Sequence, residues 1–171
     1  MTDVTIRDYS PEDHAGVLRI VLGVLAEFNF AVHVAGIEED LHAIPTRYAP
    51  PRAGFWVAEH CEHVVGTVAI RAKRDAACEL KRFYVRPDHR GTGLGQRLYA
   101  HAELFAREAG YTSLGVESSR RFGKAQRLYE RNGLTLVERL ENEWEDNVYE
   151  KKLDGYVRPP PTGYSSSRDP L

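Results

Sequence analysis

The sequence predicts an α/β domain, and three observations carry that reading. Strand-type stretches such as Phe55–Glu59 and Val64–Ile70 alternate along the chain with stretches of helical period. A strand, a glycine-rich bend and a helix follow one another between Glu79 and Ala106. The 171 residues, 42% hydrophobic and 28% charged, suit one domain with a sizeable core, expected over residues 1–154.

In chain order, Val4, Ile6 and Tyr9 alternate with polar residues as a strand does. Ser10-Pro11-Glu12-Asp13 then supplies an N-cap, a proline at the first helical position and acids in the first turn. The helix that follows is apolar over a wide face, from Val17 to Phe28, and is expected in the core. A shorter helical stretch is expected around Ile37 to Leu41, ending before Pro45, with a loop from Tyr48 to Gly54. The strands Phe55–Glu59 and Val64–Ile70 form a hairpin through His60 to His63, and Cys78 to Val85 is the third strand of the meander.

Pro87 ends that strand, and Arg90-Gly91-Thr92-Gly93-Leu94-Gly95 passes into a helix from Gln96 to Ala106 with Gly110 as its C-cap. Leu114 to Val116 reads as a short buried strand and Gly123 to Arg131 as a helix closed by Asn132-Gly133. Leu134 to Glu138 and Asn147 to Leu153 are the last strands. From Gly155 to Leu171, four prolines and three consecutive serines read as a tail without a core of its own.

Composition excludes several classes of function. A formal net charge of −2 gives no basic face for nucleic acid. No apolar run reaches membrane-spanning length, and Met1-Thr2-Asp3 opens no signal peptide, so a cytoplasmic protein without a membrane partner is expected. Cys61 and Cys78 are too few for a disulfide scaffold and are read as reduced thiols. The seven histidines show no metal-ligand spacing, so no metal is implied.

The glycine bend is the informative stretch. A helix N-terminus has N–H donors without acceptors and a positive dipole end, and glycines let an anion approach the backbone. A dinucleotide-binding turn needs its first glycine almost directly after the strand, whereas Arg86 to Arg90 intervene and Gln96 stands at the third glycine position, although Glu117 falls near where a ribose ligand would be. A P-loop lacks its Gly-Lys-Ser/Thr.

Arg90 to Gly95 instead matches Arg/Gln-x-x-Gly-x-Gly/Ala, the pyrophosphate signature of the GNAT superfamily of N-acetyltransferases. Glu79 to Val85 resembles that family's fourth strand, and Ala125-Gln126-Arg127-Leu128-Tyr129-Glu130-Arg131-Asn132-Gly133-Leu134 resembles its later A-x-x-L-Y-E-x-x-G-F segment. The resemblance spans about Val4 to Leu153. It departs from the pattern at Phe122, where many members carry an asparagine that bonds the pantetheine arm.

The resemblance implies a mixed, mostly antiparallel sheet of six to seven strands with helices on both faces, splayed between the fourth and fifth strands. It implies acetyl-CoA as acyl donor. Backbone groups of Phe83 and Val85 would align its arm, and N–H groups from Gly91, Thr92, Gly93, Leu94, Gly95 and Gln96 with the Arg90 side chain would hold its phosphates. Amine acylation needs a neutral amine and a proton for the departing thiolate. Glu79 matches the family's base and Tyr129 its acid; the competing readings are a strand carboxylate paired with Lys81 or Arg82, and a core aromatic.

By the same resemblance the acceptor, a primary amine of a small molecule, amino acid or peptide, enters between the early helices and the last strands. Phe28, Asn29, Phe30, His33, Arg47 and Tyr48 are candidates for that entrance. Glu141, Glu143, Glu145 and Asp146 around Trp144 read either as an attractor for a cationic amine or as a solvated hairpin turn. Arg47 and Arg52 suit an acceptor bearing a carboxylate. A homodimer is among the implied assemblies. The alternative function is an acyl-CoA-binding sensor without turnover, since fold alone does not fix function.

Overall fold

The computed structural model describes residues 3–31 and 39–154. Its strands are β1 (Thr5–Asp8), β2 (Gly54–His60), β3 (His63–Arg74), β4 (Ala77–Val85), β5 (Ser113–Ser119), β6 (Thr135–Arg139) and β7 (Asp146–Lys152). The helices are α1 (His14–Glu27), α2 (Ile44–Arg47), α3 (Leu94–Glu108) and α4 (Gly123–Arg131). The strands make one sheet in the order β1-β2-β3-β4-β5-β7-β6, antiparallel except between β4 and β5. The mixed sheet expected from sequence is present.

Each face of the sheet buries its own core. Leu98, Tyr99, Ala102 and Ala106 recur along α3 at helical spacing and pack with Leu128 and Tyr129 of α4 against Val68, Ile70, Leu80, Leu114 and Val116. On the other face Val17, Val21 and Leu25 of α1 pack with Leu41, Ile44 and Tyr48 against Phe55, Val57 and Ala69. Each fully buried aliphatic side chain contributes about 1.5–3 kcal/mol of burial energy, so the two cores hold the helices on opposite faces.

Two readings are corrected. The helical stretch expected around Ile37 to Leu41 begins outside the described residues, and its expected end before Pro45 is corrected: Leu41 opens a 3₁₀ turn to Ala43, and α2 follows with Pro45 in its first turn. A proline is tolerated there because first-turn N–H groups have no helical acceptor. The helix after the glycine bend begins two residues earlier than expected, at Leu94. Ile37 and His33, like the Pro/Ser-rich tail from 155 to 171, lie outside the described residues.

Candidate active site

The site begins where two neighbouring strands part. β4 and β5 pair from Ala77 and Ser113 to Glu79 and Gly115, and no further. Beyond that point Leu80 to Val85 and Val116 to Ser119 line a cleft of ≈ 990 Å³, a size that suits an organic ligand. A bulge in β4 accompanies the parting: Lys81 to Tyr84 spans one more residue than the facing stretch of β3, and Arg82 adopts φ 50°. A left-handed non-glycine backbone costs about 1–2 kcal/mol. Arg82 is held there by a bidentate pair with Asp40, with Nε donating at 3.0 Å, while Thr67 Oγ1 donates to its carbonyl at 2.7 Å.

One end of the cleft is a backbone cradle. Gly91, Gly93, Gly95 and Gln96 line it, and Gly91 and Gly93 have φ +73° and +86°, a region costly to any other residue. Gly93 is the N-cap of α3 and brings no capping side chain, so the N–H groups of the first turn face the cleft without an acceptor from the helix itself. A side chain at Gly91 or Gly93 would meet nothing within 4 Å, so the open space there is not filled by the protein. Phosphate oxygens suit such donors.

Charge at this end comes chiefly from α4. Lys124, Arg127 and Arg131 line the cleft at i, i+3 and i+7, one stripe of the helix; Lys124 adds its field on Glu27, and no close ion pair holds any of the three among the described residues. Arg90, by contrast, donates Nε to the Val85 carbonyl at 3.0 Å and both terminal nitrogens to Glu27 at 2.7 and 2.9 Å. It ties the glycine bend to the end of α1. Gln96 and Asn132 exchange amide hydrogen bonds at 2.9 and 2.8 Å, joining the start of α3 to the end of α4.

Tyr129 lines the cleft, 2% exposed, where burial pushes its phenol up, partly offset by the Ser118 side chain that partners its hydroxyl. A raised pKa keeps the proton on the oxygen throughout neutral pH. Gln126 fixes this region. Its Nε2 donates to the Ser119 carbonyl at 2.7 Å, and its Oε1 accepts from Asn147 Nδ2 at 2.9 Å and Tyr149 Oη at 3.0 Å. One amide thus binds α4 to the ends of β5 and β7.

The far end is aromatic. Phe122 meets Phe28 with ring centroids 4.9 Å apart and Tyr84 at 6.3 Å, and Trp144 closes the wall by stacking on Phe30 at 5.0 Å. Asp146 adds a carboxylate, placed opposite Ser119 by the β5–β7 register.

This geometry matches known proteins. The acetyltransferase (GNAT) domain model matches residues 51–134. The chain is 29% identical over 131 residues to an uncharacterized N-acetyltransferase of Schizosaccharomyces pombe, covering 75% of this chain and 80% of that protein. A GNAT-family acetyltransferase of Staphylococcus aureus superposes with a TM-score of 0.82 at 20% identity, over 88% of this chain and 99% of the other. The PaiA N-acetyltransferase of Thermoplasma acidophilum, solved in complex with coenzyme A, superposes with a TM-score of 0.72 at 20% identity, over 88% and 99%. Residues 51–134 form a GNAT acetyltransferase domain. It is an acyltransferase of the N-acetyltransferase type.

Within this GNAT domain the residues read from sequence fall into separate groups. Phe83, Val85, Arg90, Gly91, Gly93, Gly95, Gln96 and Tyr129 all line the cleft. Thr92 instead donates its hydroxyl to the His89 carbonyl at 2.7 Å, and the Leu94 side chain is buried in the core, so these two face the cleft by backbone if at all. Glu79 sits at the last paired position of β4, 6% exposed, accepts Arg71 Nε at 3.2 Å, and is not among the cleft-lining side chains.

Of the acceptor candidates, Phe28 reaches the cleft. Phe30 lies behind it in the core, and Asn29 turns the chain at φ 58° while its carbonyl accepts Arg121. Tyr48 is corrected to a core position, its hydroxyl donating to Asp40 at 2.6 Å. Glu141 is corrected to solvent, 3.8 Å from Arg120, and Arg47 pairs with Glu39. Cys78 is buried, which pushes its thiol up to about 12 and suits packing better than nucleophilic attack.

Sequence reasoning missed the α4 cations, Gln126 and the separate place of Asp146. The cations had a readable signal, their i, i+3, i+7 spacing in a helix whose other face carries Leu128 and Tyr129. Among the described residues no three His, Cys, Asp or Glu side chains gather as metal ligands, and no helix is long and apolar enough to cross a membrane.

Proposed function

We propose that this protein transfers the acetyl group of acetyl-CoA directly to the primary amine of a small molecule, amino acid or peptide within a ternary complex. The observation that carries the proposal is the cleft between β4 and β5, lined both by an uncapped helix N-terminus and by Tyr129. Acetyl-CoA would supply an activated thioester, an arm that pairs with backbone, and phosphates.

The chain's own residues divide the work. First-turn N–H groups of α3 and the cations Lys124, Arg127 and Arg131 hold phosphates, with Arg90 bracing the loop through Glu27. The opened edge of β4 around Phe83 and Val85 aligns the arm. Direct attack needs no enzyme nucleophile, so orientation of amine against thioester supplies much of the acceleration. As the amine nitrogen bonds to the acyl carbon, the carbon–sulfur bond breaks, Tyr129 gives its proton to the sulfur, and one amine proton leaves to a base. Glu79 is the base candidate, acting from behind the point where the strands part. The expected location is cytoplasmic, and a homodimer is the assembly proposed.

Mass spectrometry of amines, amino acids and peptides incubated with protein and acetyl-CoA tests the reading. Acetylated product supports it. Tight acetyl-CoA binding without any product would overturn it and leave a sensor module. Glu79→Gln should lower kcat with little change in either KM; unchanged kcat assigns Glu79 to its pairing with Arg71 alone.

A further inference from the structure

Charge accounting along the cleft separates one carboxylate from the rest. Glu27, Glu117 and Asp146 are the cleft-lining carboxylates among the described residues. Glu27 is paired with Arg90 and Glu117 with Lys73 at 3.5 Å. Asp146 has no cationic partner there; its Oδ2 accepts Asn142 Nδ2 at 3.0 Å, and its backbone N–H donates to Asn142 Oδ1 at 3.1 Å. A carboxylate half-buried beside aromatic rings and lacking a cation is a natural seat for an incoming ammonium.

The arginines at the same end are already engaged. Arg82 is bound bidentately by Asp40, with Tyr48 donating to the same carboxylate, and Lys81 adds its field on the Asp40 side. Arg121 lies 3.7 Å from Glu145, donates to the Phe28 and Asn29 carbonyls and covers the Phe30 ring at 4.6 Å. An acceptor carboxylate would therefore enter beside the carboxylate of Asp146, where both cleft-lining arginines are already paired. A second ammonium would find no second unpaired carboxylate lining the cleft. The remaining walls, Phe28, Tyr84, Phe122 and Trp144, are large and aromatic.

We propose that the acceptor is a primary amine with an apolar body and no carboxylate, seated among Phe28, Tyr84, Phe122 and Trp144, its ammonium received at Asp146 and giving up one proton to a base before the neutral amine attacks. This rests on the acyl-transfer reading above and names its substrate class. The ammonium gains one charge-assisted contact and aromatic burial, and an apolar body loses little on leaving water.

The experiment compares 2-phenylethylamine, phenylalanine and putrescine as acceptors at saturating acetyl-CoA. The expected result is a kcat/KM for 2-phenylethylamine at least about tenfold above either competitor, the size of one hydrogen bond to a charged group. Asp146→Asn should raise the KM for 2-phenylethylamine by about tenfold or more, with the KM for acetyl-CoA unchanged and Asp146→Glu recovering part of the loss. Phe122→Asn should weaken 2-phenylethylamine more than putrescine. Equal or better use of phenylalanine or putrescine, or an Asp146→Asn enzyme with an unchanged amine KM, overturns the proposal. Should no amine be acetylated, titration of 2-phenylethylamine into CoA-loaded protein, followed by Trp144 fluorescence, separates the two readings. Saturable binding lost in Asp146→Asn keeps the acceptor site while acyl transfer falls; absence of binding overturns the site itself.

Discussion

The two ends of the cleft are built from different materials. The proposed phosphate end is made of backbone, the N–H groups after Gly93, with cations on a neighbouring helix that no close ion pair holds among the described residues. The proposed acceptor end is made of side chains from just past α1, β4, the β5–α4 connection and the β6–β7 turn, which meet only because the sheet brings them together. Backbone donors are the same whatever the residue, so the first end tolerates side-chain change but not a Cβ with the wrong φ. The second end is defined by side chains, so each substitution there reshapes what is admitted. A superfamily that keeps one acyl donor and varies its acceptors would divide a cleft in this way.

Tyr129 lines the same cleft and should show the largest effect. Tyr129→Phe should lower kcat by about 10²–10⁴, the range of general acid catalysis, with acetyl-CoA affinity unchanged in a binding titration. Because burial raises its pKa above the usual 10, the phenol stays protonated below that pH, and no alkaline fall in kcat between pH 7 and 10 should trace to it. An unchanged kcat in the phenylalanine variant would remove the acid role.

Next in size is the pair that braces the acceptor-side wall. Asp40→Ala leaves Arg82 buried without its counter-charge at the β4 bulge and should cost about 3 kcal/mol, read as a Tm fall of roughly 6–12 °C. Burial pushes the Asp40 carboxyl up, but Arg82 and Tyr48 outweigh it and hold the pKa below 3.8. A depressed native pKa stabilises the fold above the ordinary value and ceases to do so as pH falls through the native one. The difference in Tm between wild type and Asp40→Ala should therefore narrow on acidification below about pH 4. A constant difference would mean that the loss is packing rather than charge.

Smaller effects should mark the backbone-built end. Gly93→Val forces a branched residue to φ +86° and should weaken acetyl-CoA binding by about tenfold, while Thr92→Ala, whose hydroxyl serves the loop and not the cleft, should leave it nearly unchanged. Removing Arg127 and Arg131 together should reduce acetyl-CoA affinity by about three- to tenfold and flatten its dependence on salt, since exposed charges act over a screened distance. Isothermal titration at two ionic strengths measures both. An unaltered salt dependence would place the phosphates away from α4.

Much of the fold could be read before the structure. Alternation in β2, β3 and β4 and the apolar stripes of α1 and α3 are local properties, and burial of those residues in the two cores follows from their period. The glycine bend was readable for the same reason, because positive φ and a missing cap are conditions on a few adjacent residues. The turn at Leu41 to Arg47 misled, since a proline inside a first turn and a proline beyond a last turn look alike in sequence. Tyr48 misled because an aromatic near an entrance and an aromatic beneath it have the same local pattern.

By itself, then, the chain's order of residues determined the elements, the cradle at Gly91 to Gln96 and the place of Tyr129 in its motif, because each depends on neighbours within a turn or two. The tertiary structure decided which charges are already spent. Arg90 meets Glu27 across 63 positions, Arg82 meets Asp40 across 42, and Asp146 has no cationic partner among the described residues while Glu79 is drawn to Arg71. Charge pairing depends on distance in space, and distance in space between separate elements is set by the sheet order that brings them together.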